Sequence, residues 1–347
     1  MTNEPADTLK GQTRGRSLVY GATLLALVLL PLLSICSLAI GEVSVGWSDV
    51  LDDQALGFQV LWQLRLPHLL VTLLAGALLG ITGAAMQALF RNPLADPGLI
   101  GVSSGAALAA VVVMVLVSPW VAAQWLTWLM PLAAFVGGVV TTALVAVLAR
   151  RVLNGSVMGM LLLGIAVNAM AVAAMGGLKF IAEGLTLRQV VLWLMGGFSH
   201  VTWAEVALLT VIFVPVLWLM LRFAARLNLL LLGEQQAKLL GVPLSQLQTR
   251  LVLTTSAGVA AVVCVGGLIG YVSLLVPHAV RMWLGPEHQR LLPFSALYGA
   301  LFLVLADVLA RVLVSPAQLP LGVVTTLIGG PCFLVMIVAY YRGRLHA

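Results

Sequence analysis

Long apolar runs separated by short polar segments account for almost the whole chain. The first run extends from Leu18 to Ile40, and nine more fall at 62–90, 97–117, 126–148, 157–178, 203–222, 246–268, 270–284, 292–314 and 322–341. A helix that crosses a membrane needs about 20 mostly apolar residues. The pattern therefore predicts an all-α, polytopic membrane protein with about ten transmembrane helices. The division of 246–284 into two spans depends only on Gly266-Gly267 and Gly270.

The segment before the first apolar run is polar and basic, with Lys10, Arg14 and Arg16. A signal peptide also begins with positive charge, but its apolar core spans only about 7–15 residues, and this run is longer. We therefore expect an uncleaved first helix. The domain organisation is then a cytoplasmic N-terminal tail (1–16), a transmembrane domain (17–342) and a cytoplasmic C-terminal tail (343–347).

Composition excludes a soluble or disordered protein. Of the 347 residues, 61% are hydrophobic and only 9% are charged. A soluble domain has about 25% charged residues, so this chain cannot cover a water-facing surface. Disordered chains are poor in apolar residues and rich in charge, which is the opposite composition.

Basic residues divide unequally between the two sides that ten spans define. One side holds only four of the 18 Lys and Arg residues, namely Arg65, Lys179, Arg188 and Arg311. Cytoplasmic loops carry an excess of Lys and Arg, so both termini are predicted to be cytoplasmic. The net charge of +6 does not indicate nucleic acid as a partner, because the cations are dispersed over short loops and form no basic stripe.

Residue groups typical of catalysis or metal binding are missing from the sequence. It has no HExxH motif, and its one GxSxG match, Gly101 to Gly105, has no nearby base for its serines. It also has no Walker A motif, so any ATP hydrolysis must occur on another chain. The cysteines Cys36, Cys264 and Cys332 lie in apolar runs and are interpreted as small buried hydrophobes. A haem-holding subunit needs histidines on facing helices, whereas those of this chain are isolated, at His68, His200, His278, His288 and His346. We therefore predict no catalytic residue, no metal site and no cofactor bound by this chain.

Asp307 is the only acidic residue that lies deep within an apolar run. Arg311 follows it by one helical turn and can pair with it. A proton-driven carrier uses carboxylates at membrane depth, so one paired carboxylate disfavours that class of transporter.

Two polar loops on the predicted cytoplasmic side are unusual. The first comprises residues 90–105; Pro93 and Pro97 restrict its turns, and its glycines allow a tightly packed return into the membrane. Its part 90–101 is called the signature loop below. The second, residues 232–243, has a polar centre bounded by Gly233 and Gly241. It is predicted to form a short helix along the membrane surface.

The residues of the signature loop carry a resemblance to a known family. Arg91, Asn92, Pro93, Asp96 and Pro97, followed by the sequence GVSSGA from Gly101, resemble the FecCD-type permeases. These are the membrane subunits of ATP-binding-cassette (ABC) importers for ferric siderophores, haem and cobalamin. The resemblance continues over about residues 60–340, through Leu64–Pro67, Trp193–Gly197, Leu232–Gly241, Ile269–Tyr271, Val276–Arg281, Ala306–Arg311, Leu319–Thr325 and Gly329–Pro331.

The resemblance implies the architecture, the location and the partners of the protein. Such permeases have ten transmembrane helices in the type II importer fold and lie in the bacterial inner membrane. They work as a homodimer or close heterodimer with two cytoplasmic ATPase subunits, which bind ATP and Mg²⁺, and a periplasmic substrate-binding protein docks on the outer face. Chemical catalysis by the permease chain itself is not expected.

The resemblance also implies roles for particular residues. Arginines matching Arg65 and Arg311 receive acidic residues of the binding protein, and His68 lies where family members carry a second arginine. The segment that couples to the ATPase matches Gly233, Glu234, Gln235, Gln236, Ala237, Lys238, Leu239, Leu240 and Gly241.

The expected substrate is haem or a similar iron chelate. Asn168 in GIAVNA, the segment 286–290 and the segment 315–320 are most similar to the haem permeases. Cobalamin and ferric-siderophore permeases share much of this sequence and are the alternatives. A more distant alternative is a haem-binding membrane anchor of a redox enzyme.

Overall fold

The computed structural model describes residues 4–41, 56–199, 201–314 and 317–345. Nine helical segments within this part of the chain are long and apolar enough to cross a membrane, which confirms an all-α membrane protein. The helices are α1 (Glu4–Ala39), α2 (Leu56–Val60), α3 (Leu66–Leu89), α4 (Val102–Val112), α5 (Ala123–Val152), α6 (Val157–Ile181), α7 (Gly184–Leu194), α8 (Trp203–Leu230), α9 (Glu234–Leu239), α10 (Leu244–Gly266), α11 (Val272–Leu284), α12 (His288–Val312) and α13 (Leu321–Leu345).

Helix α3 forms the centre of the bundle, with 19 of its 24 residues buried. It packs against α12 at Gly76 and Gly80, where an added methyl group would overlap the backbone of Gly299 and Ser295. Small residues let two helix backbones approach closely where lipid provides no hydrophobic drive. Gly76 and Gly80, four residues apart on one face of α3, therefore serve helix packing.

Helix α4 begins deep inside the bundle. Its first turns face the midpoint of α5, where a methyl group added at Gly137 would lie 2.7 Å from the carbonyl oxygen of Gly105. The signature loop therefore rises from the end of α3 to half the height of α5. The tightly packed return that the sequence predicts extends much further into the bundle than a surface loop.

Two short apolar helices differ from the predicted spans. Helix α11, within the predicted span 270–284, has 13 residues, about 20 Å at 1.5 Å per residue, and is too short to cross a hydrocarbon core of about 30 Å by itself. Helix α7 was not among the predicted spans, because Lys179, Glu183 and Arg188 interrupt the surrounding apolar residues. Sequence hydropathy thus finds full-length spans better than partial ones.

The two ends of the bundle are named here by their residues. Arg65 and Arg311 lie at one end, the arginine end, where α8 also begins, since Trp203 Nε1 donates to the carbonyl oxygen of Trp62 at 3.2 Å. Helix α8 runs from there to α9 at the opposite end, the α9 end. Helix α1 begins at Glu4, so helical structure extends through most of the predicted tail 1–16. The cytoplasmic placement of the two termini stays a prediction.

The interpretation of the cysteines as buried hydrophobes is correct for only one of the three. Cys264 is buried, Cys36 is half-buried and Cys332 is exposed, and all are free thiols. Cys332 lies on α13 near the exposed side chains of Leu334 and Val335. An apolar run on a membrane helix does not distinguish the core-facing side from the lipid-facing side.

Candidate functional site

Asp307 is the centre of a charged cluster at the arginine end. Its carboxylate forms an ion pair with Arg311 Nη2 at 2.8 Å, one helical turn along α12, which confirms the predicted pair. The other oxygen lies 2.8 Å from His68 Nε2, and His68 Nδ1 lies 3.0 Å from the carbonyl oxygen of Phe198. His68 thus joins α3, α12 and the loop that precedes α8.

The two arginines of this cluster hold the end of α1. Arg65 Nη1 donates to the carbonyl oxygens of Leu38 at 2.6 Å and Ala39 at 3.2 Å. Arg311 donates to the carbonyl oxygens of Ser37 and Ile40, both at 3.0 Å, and to Ser37 Oγ at 2.7 Å. The last carbonyls of a helix lack partners within the helix and carry partial negative charge. The guanidinium groups supply those partners.

Both arginines are largely buried, with 8% of Arg65 and 11% of the Arg311 side chain exposed. The structure therefore brings together Arg65, His68 and Arg311, the three residues assigned to docking by resemblance. It also gives each of them partners inside the chain. Docking of a binding protein at this end stays a prediction.

Polar contacts fix the signature loop at its deepest point. Asp96 accepts a hydrogen bond from the Gly98 amide at 2.7 Å and begins the 3₁₀ turn Pro97–Ile100. The hydroxyl of Ser273, in the first turn of α11, also donates to the Asp96 carboxylate. Asn168 on α6 donates through Nδ2 to the Gly98 carbonyl oxygen at 3.1 Å. The loop is thereby tied to both α6 and α11.

Nearer the α9 end, the loop forms a local turn. The side chain of Asn92 accepts a hydrogen bond from the Leu94 amide at 2.9 Å, which is the geometry of an Asx turn. Arg91 has a left-handed φ of 49°, and Arg91 and Asn92 are both exposed. Asp96 and Pro97 therefore hold the inner part of the loop in place, whereas Arg91 and Asn92 are exposed at its outer part.

A cavity of about 360 Å³ lies beside the buried part of the loop. Asp96, Ser103 and Ser273 contribute its polar side, and Leu79 of α3 and three valines of α10 contribute part of its apolar wall. Tyr271 and Phe333 close it toward α13, with their rings 6.5 Å apart in an edge-to-face arrangement. The cavity therefore separates the signature loop from α13.

Tyr271 has an unusual backbone. Its φ of 67° places a bulky residue in the left-handed region at the start of α11. Such a conformation costs about 1–3 kcal/mol for a residue other than glycine and persists only where the surroundings enforce it. The enforcing contact is with α13, where the Tyr271 side chain lies directly against Gly329.

Helix α9 occupies the predicted coupling segment. Gly233 and Gly241, with φ of 107° and 81°, bound it. Ala237 is buried beneath the short helix, while 88% of Leu239 is exposed. The exposed side chains are those of Glu234, Gln235, Gln236, Lys238, Leu239 and Leu240. The predicted short helix is confirmed, and it presents charged, amide and apolar groups side by side.

The three described histidines, His68, His278 and His288, do not come together as a ligand set. His288 Nδ1 lies 2.9 Å from Asn228 Oδ1, and His278 is buried on α11. His200 and His346 lie outside the described residues, as do Ser315 and Pro316 of the segment compared with haem permeases. Among the residues that the structure describes, no three His, Cys, Asp or Glu side chains come together as a metal site would require.

Sequence reasoning missed two bracing residues. Gln87 donates to the Leu274 carbonyl oxygen at 3.0 Å, and Arg281 Nη2 donates to Gln87 Oε1 at 3.4 Å. A lone glutamine at the end of an apolar run was the available indication, since a polar group at that depth needs a partner.

The whole chain has relatives of known class. The FecCD transport family matches residues 28–339. The hemin transport system permease protein HmuU of Yersinia pestis is 39% identical over 323 residues, covering 92% of this chain and 95% of that protein. The vitamin B12 import system permease protein BtuC of Vibrio cholerae is 41% identical over 311 residues, covering 88% and 91% of the two chains.

Solved structures give the same class. The chain superposes on an ABC transporter assigned to the metal-chelate type, in an inward-facing conformation, with a TM-score of 0.80 and 32% identity over 93% of this chain and 99% of that one. PsaBC from Streptococcus pneumoniae matches with a TM-score of 0.54 at 16% identity and shows the fold alone.

The fold and these matches define a permease subunit of a bacterial ABC importer, located in the inner membrane, with ATP hydrolysis on a separate chain. More particularly, the chain belongs to the FecCD transport family. Membership of a transport family disfavours the redox-anchor alternative.

Proposed function

We propose that this chain forms a homodimeric permease that moves haem, or a similar iron chelate, from the periplasm to the cytoplasm by alternating access. The choice of haem as the substrate is supported by the match to the hemin permease along 92% of the chain. Cobalamin is the second candidate, and the 41% identity to the vitamin B12 permease of Vibrio cholerae favours it. ATP bound with Mg²⁺ by the partner ATPase supplies the energy.

The observation that carries the transport mechanism is the exposure of α9. A segment that transmits motion needs a defined shape and accessible side chains. Glycines with positive φ bound α9, Ala237 anchors it, and Leu239 projects beside Lys238. Apolar groups beside charged groups are typical of a wet protein interface. We assign residues 233–241 to the contact with the ATPase.

Homodimer formation is supported by the unpacked faces of α6 and α13. On α6, the exposed side includes Ile165, Met170 and the pair Gly176-Gly177, around which there is open space. On α13, Cys332 and Leu334 are exposed. Lipid could cover such faces, but a glycine pair lets a second helix approach closely. We place the translocation path between the two copies, along these helices.

Docking of the binding protein is proposed at the arginine end, opposite α9. Among the residues that the structure describes, Arg65 lies close to Arg311, and His68 and Arg311 both contact the carboxylate of Asp307. Cationic side chains attract an acidic partner and raise its association rate. Because both guanidinium groups already bind α1, an incoming carboxylate shares them with the end of that helix.

Reconstitution tests substrate and mechanism together. The permease, its ATPase and its binding protein are placed in liposomes, and ATP-dependent uptake of haem, cyanocobalamin and a ferric siderophore is compared. We expect haem uptake to exceed the others at least tenfold. Preferential cobalamin uptake would replace haem by the second candidate, and uptake without ATP would contradict the importer mechanism.

Chemical cross-linking tests the dimer interface. In a chain whose three native cysteines are replaced by serine, Gly177→Cys is expected to form a disulfide between copies under mild oxidation. A cysteine replacing Val147, which is exposed on α5, is the matched control and is expected to remain uncross-linked. Equal cross-linking at both positions, or only at 147, would reject the proposed interface.

A further inference from the structure

Tyr271 contacts α13 at a notch, which is the gap in its surface left by the missing side chain of Gly329. A methyl group added at Gly329 would lie 2.6 Å from Tyr271 Cγ and closer still to Cβ, so only glycine accommodates this side chain. The ring also meets Phe333, one helical turn further along α13, at 6.5 Å between centroids. Pro331 lies between the two contacts and weakens the helix there, because it cannot donate a backbone hydrogen bond. Tyr271 therefore holds α13 on both sides of its weakest point.

The same tyrosine is rigidly connected to the signature loop. Ser273, two residues further along the chain, donates to Asp96, and the Leu275 amide donates to the Tyr271 carbonyl oxygen at 2.7 Å. Asp96 fixes Gly98, which accepts from Asn168 on α6. An unbroken path of contacts thus leads from α13 through Tyr271, the start of α11 and the signature loop to α6.

We propose that Tyr271 is a positioning residue for transport, because its ring, seated against Gly329, ties α13 through the signature loop to α6. This inference rests on the proposed function, in which α6 and α13 line the translocation path. The left-handed backbone of Tyr271 is the cost of directing the ring into the notch. Without the ring, the part of α13 beyond Pro331 moves independently of α6, and the cavity beside Asp96 widens toward Phe333.

The notch offers a matched set of variants. Gly329→Ala places a methyl group against Tyr271, whereas Gly330→Ala places one 3.9 Å from Tyr271 Oη, an ordinary contact distance. Tyr271→Phe keeps the ring in the notch. Tyr271→Gly removes the ring and Cβ together and suits the positive φ. Tyr271→Ala removes the ring but keeps the Cβ that would overlap with the new methyl group.

We expect Gly329→Ala to lower the folded yield of the complex and to reduce the substrate transported per ATP hydrolysed at least fivefold. Gly330→Ala and Tyr271→Phe are expected to remain within twofold of the wild type in both measurements. Adding Tyr271→Gly to Gly329→Ala is expected to restore the folded yield of complex, and adding Tyr271→Ala is not. Tyr271→Gly alone is expected to assemble with its ATPase at normal yield, yet to transport at least fivefold less per ATP. Equal effects of Gly329→Ala and Gly330→Ala would overturn the proposal.

The native thiol of Cys332 provides a readout that does not depend on the cargo. With Cys36 and Cys264 replaced, we expect maleimide labelling of Cys332 to change between the resting and vanadate-trapped complexes. In Tyr271→Gly this difference is expected to disappear. The positioning role would be refuted if Tyr271→Gly kept the wild-type difference in labelling and transported as much substrate per ATP as the wild type. If the wild type instead proves to carry cobalamin, the labelling and ATPase comparisons retain their meaning, so failure of the haem proposal is distinguishable.

Discussion

The arginine end and the α9 end carry the charged residues assigned to partner proteins, but they are built differently. At the arginine end the cations are buried. Arg311, for example, contacts Asp307, Ser37 and Ile40. On α9, Glu234 and Lys238 are exposed, and the hydrogen bonds described for the segment are those of its backbone. A resemblance to the same family implies both contacts. Because one set of charges is buried and the other is exposed, a substitution at the arginine end affects folding as well as partner binding, and a substitution on α9 affects mainly partner binding.

This difference separates folding from binding in mutational experiments. A buried cation that holds a helix end contributes to the stability of the permease as well as to docking, so charge reversal there damages both. An exposed cation on α9 contributes little to folding. Loss of partner binding is therefore a clean measurement at the α9 end only.

The largest effect is expected at Arg311. Arg311→Glu places a second carboxylate beside Asp307 and removes three hydrogen bonds to α1. Loss of one partner of a buried ion pair costs about 3–5 kcal/mol, so we expect a large fall in detergent-extracted yield and in thermal stability. Arg311→Lys, which keeps the charge, is the control and is expected to lose less. A normal melting temperature for Arg311→Glu would show that the contacts with α1 contribute nothing to folding.

The next largest effect is expected at Asp96, which holds the signature loop against α11. Asp96→Ala leaves the Gly98 amide and the Ser273 hydroxyl without their acceptor. A buried donor without a partner costs about 1–3 kcal/mol, and we expect that loss in thermal unfolding together with reduced transport. Asp96→Asn keeps Oδ1 as the acceptor for the Gly98 amide, and its Nδ2 can donate to Ser273 Oγ once that hydroxyl rotates. The asparagine variant is therefore expected to be nearly normal. Equal losses in both variants would mean that the negative charge matters and the hydrogen bonds do not.

A smaller but cleaner effect is expected on α9. Reversal of both charges, with Glu234→Lys and Lys238→Glu, is expected to weaken ATPase association about tenfold, which is about 1.4 kcal/mol. Thermal stability of the permease is expected to change by less than about 0.5 kcal/mol, as for other surface substitutions. Arg250→Glu, at an exposed position on α10, is the control. Co-purification of the ATPase at wild-type yield with the double reversal would remove α9 from the interface.

The smallest effect is expected at His68. His68→Ala removes the bonds to Asp307 and to the Phe198 carbonyl oxygen, but Asp307 keeps Arg311 as a partner. We expect transport to fall by less than about fivefold, equivalent to about 1 kcal/mol. His68→Arg restores donors toward both acceptors and is expected to recover the loss. A larger defect in the arginine variant than in the alanine variant would argue against the bridging role.

Hydrophobic patterning predicts where most helices lie, because a spanning helix must be apolar over its whole length. It does not predict how deeply a loop enters the helix bundle. The return of the signature loop to half the height of α5 depends on contacts between Gly105 and Gly137, and the tie between Asp96 and Ser273 joins residues 177 positions apart. Charge counting likewise predicts that Arg65 and Arg311 share one side, but not that both hold the end of α1. Such tertiary contacts leave no local pattern in the sequence.

The packing of α3 on α12 has a consequence for biosynthesis. The glycine face at Gly76 and Gly80 meets residues that are made about 220 positions later, which is roughly 10–45 s at about 5–20 residues per second. During that interval the central helix is already synthesised, but its main partner does not yet exist. Thr72, Thr82 and Gln87 on α3 are then also without their final surroundings. A substitution that delays insertion of α12 therefore prolongs the life of an incompletely packed nascent chain, and membrane proteases are expected to remove it before the bundle can close.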